Sequence, residues 1–356
     1  MKPIALPVQV PRKWPRVIWR VFLGLILFVI VVACGATVYN YWAVRHYRAL
    51  YPSPGKLYSV DGYQMHLYCT GAGAPTIVLE AGLGNDFRIW DLVQPQLSTL
   101  TRVCSYDRAG VGWSDPRPGP RDSNSIADQL HQLLLVAQIK EPVVLMGHSI
   151  AGMHLRAYAS RYPGEVAGMV LVDPSTPEQL ERMPPEMFEM QRQEDRQLAW
   201  FRPLVTLGIA RLLQQCGETP PPGMEAHADW YRADNNCSPA YLPAIQGELA
   251  GIAPSAHEVL HTGPFGNLPI LIFSQDPDIK QPGLPEDLRA RVSAVWFGLH
   301  EDLKLLSTRT RRIVAKGSSH YIQIDRADLL NREVPLFIRQ IRGEQQPVGY
   351  GSTQVE

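Results

Sequence analysis

A serine set between glycines where a strand meets a helix constrains this chain more than any other feature. The stretch from Pro142 to Tyr162 opens with an apolar run of strand character, Val143 to Met146, and Ile150 to Arg161 has helical spacing. Between the two lies Ser149, flanked by Gly147 and Gly152. The backbone must double back there, and small neighbours permit that strained turn. Such a turn lifts the hydroxyl clear of a sheet and aims the first helical N–H groups at whatever binds. These residues alone leave two readings open, a nucleophile or a tight turn carrying an incidental serine.

With 356 residues, the chain has room for one large domain with an insertion once a non-globular N-terminal portion is set aside. Lys plus Arg equals Asp plus Glu, 34 each, so no global field recruits nucleic acid. Neither zinc-ligand spacing nor a Gly-rich phosphate loop is present in the sequence, and no cofactor or metal is expected. From Val21 to Val44 no side chain is charged, and Leu, Ile, Val and Phe dominate. That is long enough to cross a bilayer with some tilt. Lys2, Arg12, Lys13, Arg16 and Arg20 precede it without an acid, which favours a cytoplasmic N-terminus and a domain on the exoplasmic or periplasmic side. A cleaved signal peptide is the alternative, since Val31-Val32-Ala33-Cys34 resembles a lipoprotein cleavage box; apolar sequence continuing past Cys34 favours an uncleaved anchor. Apart from Cys34 there are four cysteines, an even number that suits an oxidising location.

In chain order, residues 1–20 read as a basic tail, 21–44 as the anchor and 45–56 as a linker. Strands are expected at 56–60 and 63–69 about an Asp61-Gly62 turn, then at 76–80, 102–106, 166–172, 269–273 and 312–315. Helices are expected at 90–97, 123–139, 286–308 and 328–342, and 343–356 reads as a disordered tail. The alternation predicts an α/β fold with a doubly wound, mostly parallel sheet over 57–174 and 266–342, with ligands at the strands' carboxyl ends. Residues 175–265 break the rhythm and read as a helical cap. Met183, Met187, Met190, Phe188, Trp230 and Tyr231 could line an adaptable apolar pocket there or pack helix on helix.

Four motifs together resemble the α/β-hydrolase superfamily, in a bacterial membrane-anchored or exported branch with a helical cap. They are Val78 to Gly84 (VLEAGLG), Tyr106 to Ser114 (YDRAGVGWS), Gly147 to Gly152 (GHSIAG) and Gly317 to Ile322 (GSSHYI). The resemblance implies Ser149 as nucleophile, with His320 as the base that a serine hydroxyl requires. It places the oxyanion hole at the backbone N–H groups of Leu83 and Ile150. Asp107 and Arg108 are read as bracing their loop through a salt bridge, and the role of Glu80 is open. Ala151 departs from the usual Gly-x-Ser-x-Gly, where a glycine is more common. Serine at the nucleophile position separates the chain from relatives that use aspartate.

The acid that orients the imidazole is expected between nucleophile and histidine in chain order. Asp173, ending a strand in Leu-Val-Asp-Pro, is preferred, with Asp276 and Asp278 as alternates. The resemblance also makes 63–69 and 101–106 neighbouring strands, which implies a Cys69–Cys104 disulfide, and leaves Cys216–Cys237 to pair within the cap. The function implied is a serine hydrolase cleaving small carboxylic esters with an apolar moiety, bound to a membrane through its N-terminal helix. The alternatives are an aminopeptidase or amidase using cap residues Glu178, Glu181, Glu186, Glu189 or Glu194, and a non-catalytic ligand-binding protein of the same fold.

Overall fold

The computed structural model describes residues 14–356 apart from 218, 234–235, 280–283 and 347–348. Among these, nine strands form one sheet: β1 (Lys56–Val60), β2 (Tyr63–Thr70), β3 (Ile77–Glu80), β4 (Val103–Tyr106), β5 (Val143–His148), β6 (Val166–Val172), β7 (Ile270–Gln275), β8 (Thr310–Ala315) and β9 (Thr353–Val355). Their order is β1-β2-β4-β3-β5-β6-β7-β8-β9, antiparallel at the β1–β2 and β2–β4 pairs and parallel from β4 onward. The helices are α1 (Trp14–Leu50), α2 (Gln94–Leu97), α3 (Ser123–Val136), α4 (Ala151–Arg161), α5 (Gln179–Arg182), α6 (Pro185–Thr206), α7 (Ile209–Leu212), α8 (Ala228–Ala233), α9 (Tyr241–Val259), α10 (Glu286–Asp302), α11 (Ile322–Asp325) and α12 (Ala327–Ile341).

Strands β5, β7 and β8 are buried along their whole length, as parallel strands covered on both faces must be. Successive side chains of a strand serve opposite layers. Val143 and Leu145 join Leu130, Leu133, Leu155 and Tyr158 on one face, while Val144 and Met146 join Trp90, Leu97, Val334 and Phe337 on the other. Each fully buried Val, Leu or Phe contributes roughly 1.5–3 kcal/mol, so the two layers supply most of the drive to fold. Asp122 caps α3 by accepting from the Ser125 N–H, which fixes where that helix starts. Between β6 and β7 the chain is helical, α5 to α9, as the composition of 175–265 predicts.

Cys69 and Cys104 are directly opposite each other on β2 and β4 and are joined by a disulfide. A second disulfide joins Cys216 to Cys237 in the helical insertion, and Cys34 is a free, exposed thiol.

Several boundaries differ from expectation. The 343–356 segment is not a disordered tail throughout, because Thr353–Val355 pairs in parallel with Arg312–Val314 as β9. A three-residue edge strand has no periodic signal of its own; the ladder it meets creates it. Residues 45–50 are not linker but the last turns of α1, and Arg48 at its end donates to the Gly112 carbonyl (2.7 Å). Of the basic tail, 1–13 lies outside the described residues, while 14–20 are already helical. The helix expected at 90–97 is a 3₁₀ turn, Phe87–Trp90, followed by α2, and α10 stops at Asp302 with a 3₁₀ turn beyond. α1 is the one described helix long and apolar enough to cross a membrane.

Candidate active site

Ser149 sits between β5 and α4 with φ of 57°, in the left-handed region that a non-glycine residue occupies only when its surroundings hold it there. Its N–H donates to the Val172 carbonyl, and its own carbonyl accepts from Gly152 and Ser175. The flanking glycines are required by close approach. A Cβ on Gly147 would lie 2.7 Å from the Ala151 Cβ, and one on Gly152 would lie 2.4 Å from the Pro174 Cβ. The Ala151 methyl, the departure noted above, is therefore accommodated by the missing side chain at Gly147. Ile150 is the N-cap of α4, so its N–H is among the donors a helix leaves unpaired at its start. Leu83 lies in the loop after β3, where a Cβ on Gly82 would be 3.3 Å from the Ser149 Cβ. The Gly82 backbone, one residue before Leu83, thus packs against the serine that Ile150 follows.

Asp173 follows β6, the strand beside β5, and also has a positive φ, 44°. Its carboxylate is fully buried and accepts three hydrogen bonds: from His320 Nδ1 (2.6 Å), Trp296 Nε1 (3.1 Å) and the Gln275 N–H (2.7 Å). Burial alone would raise its pKa. The hydrogen bond from His320 and the charges of His300 and His320, with the Gln275 N–H, outweigh that and hold the carboxyl below its ordinary value. Asp276 and Asp278 do not meet His320. Lys316 binds both, at 2.9 and 2.7 Å, and Asp276 also accepts from the Gly317 and Asp278 N–H groups. Those two carboxylates brace the loop that leads to His320.

His148 does not point away from the site, as its place beside the nucleophile suggests. The ring turns toward the β8 loop, Nε2 donates to the His320 carbonyl (2.9 Å), and its centroid lies 4.5 Å from that of His320. Burial, with the charge of His320 second, pushes its pKa down to about 3, so it is a neutral donor. His300 is likewise buried, pushed down to about 4 by burial against the pull of Asp173, and bridges Ser274 Oγ and the Pro174 carbonyl behind the Asp173 carboxylate. Neither role has a local signal in the sequence, since each partner is more than twenty positions distant.

The sheet order agrees with what comparison finds. A family model described as alpha/beta hydrolase fold matches residues 75–215. The chain has the α/β-hydrolase fold. Uncharacterized protein YbdG of Bacillus subtilis is 28% identical over 170 residues, 46% of this chain and 52% of that protein. The chain therefore spans about half the length, or less, of the first curated relatives it matches. Among solved structures, it resembles a candidate lipase from Acinetobacter baumannii AYE (TM-score 0.58, 17% identity, 86% of this chain and 97% of that one). It also resembles a thermophilic esterase from Thermogutta terrifontis (TM-score 0.53, 19% identity, 78% and 94%). At such identities the likeness is one of fold.

The loop carrying Leu83 is held by a buried charge network. Arg108, after β4, donates to the carbonyls of Ala81 and Gly82, and its Nε and Nη2 donate to the two oxygens of Glu248 on α9 (2.8 and 2.9 Å). Glu248 Oε2 also accepts from the Gly84 N–H (2.9 Å). Glu80 lies 3.6 Å from Arg108 and 2.6 Å from His154 Nδ1, which gives it a structural partner on α4. Burial would lift the Glu248 pKa, but Arg108 and the Gly84 N–H hold it below the ordinary value. Asp107 points elsewhere, accepting from His66 Nδ1 and from the N–H groups of Phe87 and Trp113. The expected salt bridge between Asp107 and Arg108 is not formed: both residues brace, but Asp107 pairs with His66 and Arg108 with Glu248, which meets it from 140 positions away and which sequence reading misses. A cavity of about 200 Å³ adjoins the loop, lined by Gly84, Ile89, Tyr231 and Tyr241 among others.

Proposed function

We propose that this chain is a serine hydrolase of carboxylic esters with an apolar moiety. The observation that carries the reading is the His320–Asp173 pair, with His320 packed against His148, the residue that precedes the strained turn at Ser149. With Nδ1–H donating to Asp173, His320 presents Nε2 as the base. Ser149 Oγ attacks the ester carbonyl carbon while its proton passes to Nε2. The oxyanion so formed accepts from the Leu83 and Ile150 N–H groups. Collapse breaks the bond to the alcohol, which leaves with the proton from His320. Water then loses a proton to His320, attacks the acyl-serine and frees the acid and Ser149. Asp173 holds the imidazolium throughout, its low pKa keeping it anionic. No cofactor enters these steps.

An apolar substrate is favoured by the surroundings of the Leu83 loop, where Leu83 packs in one cluster with Tyr241, Leu242 and Ile245 from α9. The amidase alternative draws less support. Glu181, Glu186 and Glu189 are exposed, Glu186 pairs with Arg291, and the Glu194 side chain lies outside the described residues. We further read α1 as a membrane anchor, with a cytoplasmic N-terminus and the sheet on the exoplasmic side; two disulfides suit an oxidising compartment.

Labelling with a fluorophosphonate tests the chemistry. The wild type should react and Ser149→Ala should not; a wild type that stays unlabelled favours the non-catalytic, ligand-binding alternative. Nitrophenyl esters and aminoacyl anilides assayed side by side separate esterase from amidase.

A further inference from the structure

The α1 helix has 37 residues, about 55 Å at 1.5 Å per residue, far more than the ~30 Å of a hydrocarbon core. Between Arg20 and Arg45 it bears no charge. Thirty ångströms measured from Arg20 reaches the level of Asn40, about twenty residues on. The folded domain begins before that level. Ala36, Asn40 and Ala43 are buried on one side of the helix, by α7 and α8, while Val38, Tyr39 and Trp42 stay exposed on the other. Apolar surface meant for lipid and surface covered by the domain therefore overlap along the same turns of helix.

The contact is specific. Gly208, between α6 and α7, has φ of +72°, and a Cβ there would lie 2.2 Å from the Ala36 carbonyl oxygen. Asn40 donates to the carbonyls of Val205 and Cys237 and accepts from Arg211 Nε (2.7 Å). The α6–α7 turn is thus fixed at the height of residues 36–40. Its outer surface is not that of a water-facing turn: Leu207, Leu212 and Leu213 are exposed, Leu213 at 62%. Trp200, one α6 residue further from the turn, is 82% exposed, and from Arg196 to Gly217 the sequence has three arginines and no acid. Leucines flanked by tryptophan and arginine are the composition of a surface seated at the headgroup layer.

We propose that the α6–α7 turn enters the bilayer interface beside α1, with Leu207, Leu212 and Leu213 among the upper acyl chains and Arg202 at the phosphates. This rests on the reading of α1 as a membrane span. The occupant is lipid rather than protein because the leucine surface is continuous with the lipid-facing side of α1. The helical insertion is then held at the membrane at two points, and Val205 and Ala210 beside the turn share one apolar cluster with Ile245 and Leu83 at the site.

The test uses the full chain in lipid nanodiscs, with Cys34→Ser leaving both disulfides in place and a bimane label on a single new cysteine. Leu212→Cys and, separately, Leu213→Cys report the turn; Val29→Cys reports the span; Leu305→Cys, 80% exposed and far from α1 in sequence, reports water. The turn labels should lose fluorescence to a shallow nitroxide lipid more than to a deep one, Val29 the reverse, and Leu305 to neither. Quenching at Val29 with turn labels behaving like Leu305 overturns the inference and leaves the span intact. Turn labels shielded from every nitroxide lipid but crosslinking between copies overturn it in favour of self-association. No quenching at Val29 removes the span, and the inference with it.

Discussion

Nδ1 of His320 lies 2.6 Å from Oδ2 of Asp173, and the two residues are 147 positions apart in the chain. Adjacent strand positions bring them together: β6 delivers Asp173 from beside β5, and the loop after β8 carries His320 back across β7. The carboxylate is spent on orienting groups, since Trp296 and Gln275 take its remaining acceptor sites. Lys316 holds Asp276 and Asp278 in the same way, away from the imidazole.

That division of labour predicts unequal variants. Asp173→Asn should lower kcat on a nitrophenyl ester by about 10³–10⁴-fold, the scale of losing the orienting acid of a triad. Asp276→Asn and Asp278→Asn should stay within a few-fold. Steady-state kinetics of the three, with circular dichroism to verify folding, check the assignment; a large loss only in Asp276→Asn would reverse it.

Glu248 offers a sharper test, because it touches the Leu83 loop and no reacting atom. Glu248→Gln keeps an acceptor for Gly84 but removes the nearer of the two carboxylates facing buried Arg108, leaving Glu80 at 3.6 Å, so the cost should fall below the about 3–5 kcal/mol of a fully uncompensated buried charge. A lowered melting temperature is expected together with a fall in kcat at nearly unchanged KM. Equal kcat at a temperature where the variant is still folded would mean that the brace serves stability alone.

Acid sensitivity should follow from His148 and His300. Their pKa values are depressed from 6.5 to about 3 and about 4, by burial first in both. A depressed pKa means that the unfolded chain binds the proton and the native protein refuses it. Stability is therefore full above pH 6.5 and is lost as pH falls, through about 4 for His300 and about 3 for His148. Each histidine contributes a slope of roughly 1.4 kcal/mol per pH unit in that window. Urea unfolding between pH 8 and 5 should show the decline, and His300→Gln should flatten it even though its stability at pH 8 is lower.

Cys69–Cys104 and Cys216–Cys237 close loops with sequence separations of 35 and 21. Disulfides of this kind contribute about 2–4 kcal/mol each. Denaturant midpoints of Cys69→Ser/Cys104→Ser and Cys216→Ser/Cys237→Ser should both fall. The second pair should also loosen α7 and α8 where they grip α1, seen as faster amide exchange near Asn40.

Much of this was legible in sequence because it is local or periodic. Ser149 announces itself through Gly147 and Gly152, the strands through short apolar runs, and the disulfide on β2 and β4 through the neighbourhood that the family resemblance implies. What was hidden depends on distance across the fold. Choosing among Asp173, Asp276 and Asp278 needs the position of a histidine loop relative to three strand ends. His148 looks idle until β8 is packed beside it, and Glu248 reads as one more acidic residue on a helix until Arg108 faces it. Asn40 reads as a tolerated polar residue in an anchor; only the α6–α7 turn reveals that it is a docking group.

The short ninth strand has a practical bearing. Glu356 donates its N–H to the Val314 carbonyl, its own carbonyl accepts from the Lys316 N–H, and its side chain pairs with Arg332. These residues cover a β8 ladder that would otherwise stand open, and an open ladder is a template for pairing with another copy. Trimming of residues 349–356 would unseal that flank of the sheet and invite aggregation during purification.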